Sequence, residues 1–125
     1  MLMVLIIIGV LSVLALGRYG SVKESAFDKE AKANLKLIMA AEKIYRMEAG
    51  FYYNSGSTQL AAINGINTQL KLLLSAANNR IWNYHTTVSG GSSCAQATRT
   101  LASPDDRTFR MRSTESEPVE GAACP

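Results

Sequence analysis

The run MLMVLIIIGVLSVLALG occupies residues 1–17 and decides how the rest of the chain must be arranged. Apart from Gly9, Ser12 and Gly17 its side chains are all apolar, and none of them is charged. As a helix the run rises about 25 Å, which spans most of a hydrocarbon core of roughly 30 Å once flanking residues are added. We therefore interpret it as a membrane segment, complete or truncated.

A cleaved secretory signal peptide is the main alternative for this run. Such a peptide begins with Lys or Arg and ends in small residues around a cleavage site. Here no charged residue precedes the run, whereas Arg18, Lys23, Lys29 and Lys32 follow it. The basic residues are thus on the wrong side for a simple anchor with an exported body. We expect a segment before Met1 to set the orientation.

The stretch from Ser21 to Gly50 is predicted to continue the helix as an amphipathic stem. No proline interrupts it, and Gly50 is a natural helix end. A helix from Met1 to Ala49 would be about 75 Å long, so its first half must contact lipid or other helices. Residues at three- and four-residue steps form the stripe expected to face the core: Phe27, Ala31, Asn34 or Leu35, Ile38, Ala41 or Glu42, Tyr45 and Ala49, widened by Leu37, Ala40, Ile44 and Met47. Glu42 and Arg46 also form a favourable pair four residues apart.

The remainder of the chain changes character after residue 80. Residues 53–80 are rich in Asn, Ser, Gly and Thr but include several Leu and Ile, which predicts a loop with one short helix. The pattern then alternates with period two, and strands are predicted at Ile81–Val88, Ala95–Leu101 and Thr108–Thr114. Turn residues at Ser89–Ser92 and Ser103–Asp106 connect them as an antiparallel meander.

These elements predict an α+β fold, in which a long N-terminal helix packs on a small antiparallel sheet of about three strands. We divide the chain into an apolar helix (1–20), a stem helix (21–50), a connecting loop with a short helix (51–80) and the sheet with its C-terminal region (81–125). The residues expected in the core between stem and sheet are Phe27, Leu35, Ile38, Tyr45, Trp82, Tyr84, Phe109 and Met111.

Composition excludes several classes of function. The 125 residues suffice for one domain, and 13 Lys and Arg against 10 Asp and Glu give a net charge of only +3. The two cysteines do not form a CxxC pair, and the one histidine, His85, has no partner for catalysis that the sequence identifies. Gly90 and Gly91 lack the lysine of a phosphate-binding loop. We expect no enzyme activity, no metal and no cofactor.

Three charged or aromatic clusters have simpler explanations than ligand binding. A basic edge at Arg107, Arg110 and Arg112 is followed by Glu115, Glu117 and Glu120, which makes nucleic-acid binding improbable. The acidic pair Asp105 and Asp106, taken with Glu115 or Glu117, does not have the spacing of a calcium loop. Aromatic residues at 51–53 are expected to pack at the end of the stem rather than transfer electrons.

Two segments resemble the N-terminal half of type IV pilins and of type II secretion pseudopilins. MLMVLIIIGVLSVLALGRYG (residues 1–20) is similar to their apolar segment, and AKANLKLIMAAEKIYRMEAGFYY (residues 31–53) is similar to their stem. Mature chains of the family begin with Phe-Thr-Leu-Ile-Glu, and alignment on Gly9 places those residues before Met1. No residue here takes the role of that glutamate, which compensates the N-terminal amine of a neighbour. Gly17 stands where the family has a proline, and we expect a flexible point there.

The resemblance implies a subunit of an extracellular, pilus-like filament that polymerises through its apolar helix and carries a methylated N-terminus. It also implies an inner-membrane pool before assembly, a prepilin peptidase, an assembly ATPase and its membrane platform. The filament would be a homo-oligomer with roles such as adhesion or motility. The residues expected in its core are Leu2, Leu5, Ile8, Gly9, Leu11, Leu14 and Leu16.

An exported chain also predicts a disulfide between Cys94 and Cys124, as pilins often have near the C-terminus; two free buried thiols are the alternative. Three other functions remain open. One is a major pseudopilin, periplasmic and often calcium-binding. Another is a single-pass anchored binding domain that never polymerises. The third is a DNA-capturing minor pilin that uses Arg110 and Arg112.

Overall fold

A computed structural model describes residues 1–16, 19–56, 59–100 and 107–125 of the chain. The described part divides into two compact units, Met1–Glu30 and Ala31–Pro125. The elements are α1 (Leu2–Leu16), α2 (Tyr19–Ala49), α3 (Gln59–Gln69), β1 (Trp82–Ser89), β2 (Ser92–Arg99), β3 (Thr108–Arg112) and β4 (Val119–Glu120).

The first unit consists of α1 and the first turns of α2. Its α1 is built almost entirely from Leu, Ile, Val and Met and has no acidic residue in its first turn and no basic residue in its last. Further along the same unit, the ammonium of Lys23 lies 5.7 Å from the ring centre of Phe27, one turn away. Phe27, expected in the core, is half-buried in this unit.

The second unit is an α+β body in which α2 packs on an antiparallel sheet. Its buried α2 residues follow the predicted three- and four-residue steps, and they are Ala31, Leu35, Ile38, Met39 and Glu42. The amide of Asn34 donates to the Tyr84 hydroxyl at 2.9 Å, and the Lys32 ammonium lies 5.3 Å from the ring centre of Phe109. The helix ends at Gly50, whose φ of 85° only glycine adopts readily and whose N–H donates to the Arg46 carbonyl at 2.9 Å.

The sheet is a meander with strand order β1-β2-β3-β4, and every neighbouring pair is antiparallel. Ser89 pairs with Ser92 across the two-residue turn Gly90–Gly91, where both glycines have positive φ. Tyr84, Ala97 and Phe109 lie side by side across the three long strands, which places them on one face. The buried residues of that face are Trp82, Tyr84, Thr86, Ser93, Ala95, Ala97, Phe109 and Met111.

The expected class, an α+β fold with a long N-terminal helical region on an antiparallel sheet, is confirmed. The three expected strands are present with ends shifted by a few residues, and α3 is the short helix of the connecting segment. A fourth strand, β4, was not expected; it pairs with Phe109 and Arg110 of β3. The expected turn at Ser103–Asp106 and the expected strand end at Leu101 lie outside the described residues.

Candidate assembly surface

The side chains of α1 from Leu2 to Leu14 form an extended exposed apolar surface. Leu2, Leu5, Ile8, Leu11 and Leu14, all expected in a filament core, are between 55% and 79% exposed. Gly9 is exposed as well, and a Cβ built there would meet no atom within 4 Å. Leu16 is the last residue of α1, and Gly17 lies outside the described residues. Every residue from Leu2 to Leu14 is exposed, so the described residues of this unit do not cover the helix.

The single polar side chain of α1 is already satisfied. Ser12 donates its hydroxyl hydrogen to the carbonyl of Ile8, four residues earlier, at 2.8 Å. A hydroxyl bonded in this way costs little to transfer into lipid or into a packed bundle, whereas a free hydroxyl would lose its bonds to water. The whole circumference of α1 is therefore compatible with an apolar environment.

Neither α1 nor α2, taken singly among the described residues, is long and apolar enough to cross a bilayer. Taken as a pair, Leu2–Leu14 and Tyr19–Ala49 satisfy the criteria of length and composition for a broken span, which is a membrane-crossing segment interrupted by a bend.

A second apolar surface lies on the α2 segment of the body. Leu37, Ile44 and Met47, expected to widen the core stripe, are exposed, so that expectation is wrong. The reason is geometric: successive helical residues are 100° apart, and the stripe through Leu35 and Ile38 already fills the face against the sheet. The neighbouring stripe consequently faces away from the core.

This second stripe forms one wall of a groove of about 330 Å³. Leu37, Ala40 and Ile44 contribute from α2, and Leu70 and Leu72 from the chain after α3. The residue between those two leucines, Lys71, has a φ of 57°, which turns the chain sharply as α3 ends. The groove was not expected from the sequence, although the i, i+3 and i+7 spacing of the α2 residues indicates a second face.

The core residues expected from sequence lie mostly together. Leu35 and Ile38 on α2 are buried, and Tyr45 is half-buried with edge contacts to Phe51 at 5.8 Å and Tyr53 at 6.1 Å between ring centres. The buried residues expected from the sheet are Trp82, Tyr84, Phe109 and Met111, of which Trp82 and Phe109 pack edge to face at 5.6 Å.

The expected disulfide between Cys94 and Cys124 is confirmed. Cys94 lies on the face of β2 opposite the core, as its pairing partners Thr87 and Arg112 show. The N–H of Cys124 also donates to the side-chain oxygen of Gln96 at 2.8 Å. The disulfide and this hydrogen bond hold Cys124 to the outer face of the sheet.

Glu42 lies in the buried stripe of α2, which was one of the two alternatives expected there, but it does not form the expected pair with Arg46. The Arg46 guanidinium instead donates to the Tyr52 hydroxyl at 3.0 Å and stacks on that ring at 4.8 Å. Glu42 is completely buried and accepts a hydrogen bond from the N–H of Tyr53 at 2.9 Å. Burial raises its pKa to about 7, although the bonds with Tyr53 and Thr86 act in the opposite direction.

The other candidate groups do not converge on a reactive site in the described residues. His85 is half-buried on the outer face of the sheet, and burial lowers its pKa. Arg110 lies 3.7 Å from Glu115, so part of the basic edge is neutralised locally. Within residues 1–16, 19–56, 59–100 and 107–125, no three His, Cys, Asp or Glu side chains are grouped to hold a metal ion. The expected acidic pair Asp105 and Asp106 lies outside these ranges.

Comparison with known proteins returns no relative: no protein-family model, no curated protein and no solved structure matches the chain.

Proposed function

We propose that this protein is the structural subunit of a type IV pilus-like extracellular filament and polymerises through α1. The observation that supports this most directly is the exposure of α1, an uncharged apolar helix carried by a disulfide-closed body. When a folded chain exposes an apolar surface of this extent, a protein or membrane partner typically binds there.

The absence of an amphipathic pattern in α1 favours a filament core over a simple dimer. Leu5, Ile6 and Ile7 project about 100° apart around the helix axis, and all are more than half exposed. A single neighbouring helix would cover one side only, so complete coverage requires lipid or several equivalent helices. Assembly then transfers α1 from lipid into a bundle, where close packing supplies the free energy. Head-to-tail contacts between copies extend such a bundle into an open helical filament.

In this proposal the body forms the outer layer, and the chain itself performs no catalysis. A prepilin peptidase would process the chain, and an assembly ATPase with its membrane platform would drive polymerisation from an inner-membrane pool. These partners follow from the resemblance of residues 1–53 to pilins. Adhesion, motility or a periplasmic pseudopilus would then be roles of the assembled filament.

The test is electron microscopy of filaments sheared from cells that express the chain, with mass spectrometry of their N-terminus. We expect filaments built from this chain, and we expect Ile8→Lys to abolish them while the membrane pool persists. Leu73→Lys is the matched control, because Leu73 is 99% exposed but lies in the body. Filaments that survive Ile8→Lys would contradict the role of α1.

A non-polymerising anchored domain is the second candidate, favoured by the paired helices that satisfy the criteria for a broken span. Membrane-bound monomers without sheared filaments, from wild-type cells, would establish this candidate in place of the first. Filaments retained in the periplasm would identify a pseudopilus.

A further inference from the structure

The carboxyl group of Glu42 connects three parts of the body. It lies on the buried face of α2, with no exposed surface, and its Oε2 accepts the N–H of Tyr53 at 2.9 Å. Its other oxygen, Oε1, is also buried and makes no hydrogen bond. The Thr86 hydroxyl of β1 interacts with the same carboxyl. One side chain therefore links the stem helix, the segment after it and the first strand.

Thr86 extends this link along the segment Phe51–Gly56. Its hydroxyl donates to the Tyr53 carbonyl at 3.0 Å and accepts the N–H of Ser55 at 3.2 Å. Its own N–H donates to the Ser55 hydroxyl at 2.8 Å. Because β1 and α2 both bind this segment through neighbouring groups, a change at Glu42 is transmitted to Tyr53 and Ser55.

No cation in the described residues compensates an ionised Glu42. The nearest basic residue along α2 on the same side, Arg46, is bonded to the Tyr52 hydroxyl. The titratable side chains of the segment after α2 are the phenols of Tyr52 and Tyr53, and a phenol carries no positive charge in either of its forms. The inward residues of β1, β2 and β3 next to Thr86 are Tyr84, Ala95 and Met111, and α3 has no charged residue. An ionised carboxylate in such surroundings is costly, and the neutral form is favoured.

We propose that Glu42 is a proton-sensitive latch, whose neutral form holds Phe51–Gly56 against α2 and β1 and whose ionisation loosens that segment. The neutral carboxyl still accepts the Tyr53 N–H and leaves the Thr86 hydroxyl hydrogen to the Tyr53 carbonyl. An ionised carboxylate competes for that one hydrogen, because a threonine hydroxyl has a single proton to donate. This latch is independent of filament assembly and goes beyond the proposed function.

The direction of the pH effect follows from the raised pKa. The folded chain binds a proton at Glu42 up to about pH 7, whereas the unfolded chain releases it near 4.5. The stabilisation that the neutral carboxyl gives the latch is therefore fully present below pH 4.5 and is lost as the pH rises through about 7.

The test is amide hydrogen exchange by NMR on the full chain in detergent, at about pH 5.5 and about pH 8.5, after correction for the intrinsic exchange rate. We expect protection of the Tyr53 and Ser55 amides to fall about tenfold or more at the higher pH. The Ala97 amide in the middle of β2 should follow only the change in the free energy of global unfolding. Glu42→Gln should remove the pH dependence, and Glu48→Gln, at an exposed carboxylate of the same helix, should retain it.

Equal protection at both pH values, or the same pH dependence in Glu42→Gln as in wild type, would overturn the latch. If Glu42→Gln does not fold, the pKa of Glu42 is measured instead in the wild-type chain, from the NMR chemical shift of its carboxyl carbon as a function of pH. That pKa then tests the latch. An apparent pKa well above the ordinary 4.5 supports the proposal, and a value at or below it contradicts the proposal.

Discussion

Asn67 closes the end of α3 with both halves of its amide. Its Nδ2 donates to the Leu74 carbonyl at 2.8 Å, and its Oδ1 accepts the Leu74 N–H at 2.8 Å. The two bonds fix the turn around Lys71 and bring Leu70 and Leu74 into buried positions. A side chain without an amide would leave both backbone groups of Leu74 without these partners.

We predict that Asn67→Ala lowers the free energy of unfolding by about 2 kcal/mol, roughly 1 kcal/mol for each lost bond. Urea denaturation of the detergent-solubilised chain measures this. Asn64→Ala is the control, because Asn64 is exposed on the same helix, and it should change stability by less than about 0.5 kcal/mol. Equal effects from the two variants would show that the bonds to Leu74 contribute nothing.

Glu42 should also give the body an unusual dependence of stability on pH. Because burial raises its pKa to about 7, its ionisation should reduce the free energy of unfolding as the pH rises from 4.5 to 7, by on the order of 2–3 kcal/mol. His85 acts in the opposite direction: its pKa is lowered by burial, so its contribution is present above pH 6.5 and lost on acidification.

The difference between wild type and Glu42→Gln separates the two effects, because His85 is common to both. We predict that this difference in unfolding free energy, measured by urea denaturation at intervals from about pH 5 to about pH 8.5, shifts in favour of the variant as the pH rises. A difference that does not change with pH would show that Glu42 titrates normally in the folded chain.

At the scale of single elements, the β1–β2 hairpin depends on backbone angles at its turn. Gly90 and Gly91 have φ values of 57° and 76°, the pair of positive angles that a two-residue turn between twisted strands requires. A β-branched residue is strained at such an angle, whereas asparagine adopts it more readily.

We predict that Gly91→Val costs about 2 kcal/mol of stability and that Gly91→Asn costs less than about 1 kcal/mol. Space does not limit either side chain at its first atom, because a Cβ at Gly91 would meet no atom within 4 Å. Thermal denaturation followed by circular dichroism compares the two. If valine and asparagine were equally costly, the loss would come from something other than the positive φ.

The disulfide makes the tail part of the sheet. Cys94 and Cys124 are 30 residues apart, and a closed loop of about that size contributes about 3.5–4 kcal/mol in the chain-entropy description. We predict that Cys124→Ser lowers the unfolding free energy by about 2–4 kcal/mol and makes the tail after Arg112 sensitive to proteases. Limited proteolysis with mass spectrometry of the fragments measures the second effect. A tail that remains protected would show that β4 and the Gln96 bond suffice to hold it.

Local patterns predicted most of these elements because the information lies within a few neighbouring residues. The alternation around Trp82 and Phe109 and the glycines at 90 and 91 suffice for strands and a turn. The short strand β4 carries no such pattern, since only Val119 and Glu120 pair with β3. For Glu42 the i, i+4 rule named Arg46, while the fold supplied the Tyr53 amide, 11 residues away, which no local rule identifies.

At the scale of the whole molecule, the buried core and the exposed apolar helix belong to different parts of the chain. Every buried hydrophobic residue in the described ranges lies at or after Ala31. The body therefore contains its own core and its own disulfide, and α1 contributes to neither.

This division predicts opposite behaviour for the body and the full chain in water. The fragment Ala31–Pro125 should fold and remain monomeric without detergent, because burial of its core does not require α1. The full chain should associate in the same buffer, because residues such as Leu5, Ile6 and Leu11 expose most of their apolar surface. Analytical ultracentrifugation of both chains, with circular dichroism to verify the fold, measures the difference. A monomeric full chain in aqueous buffer would mean that α1 is covered within a single molecule, and the filament proposal would then lose the surface on which it depends.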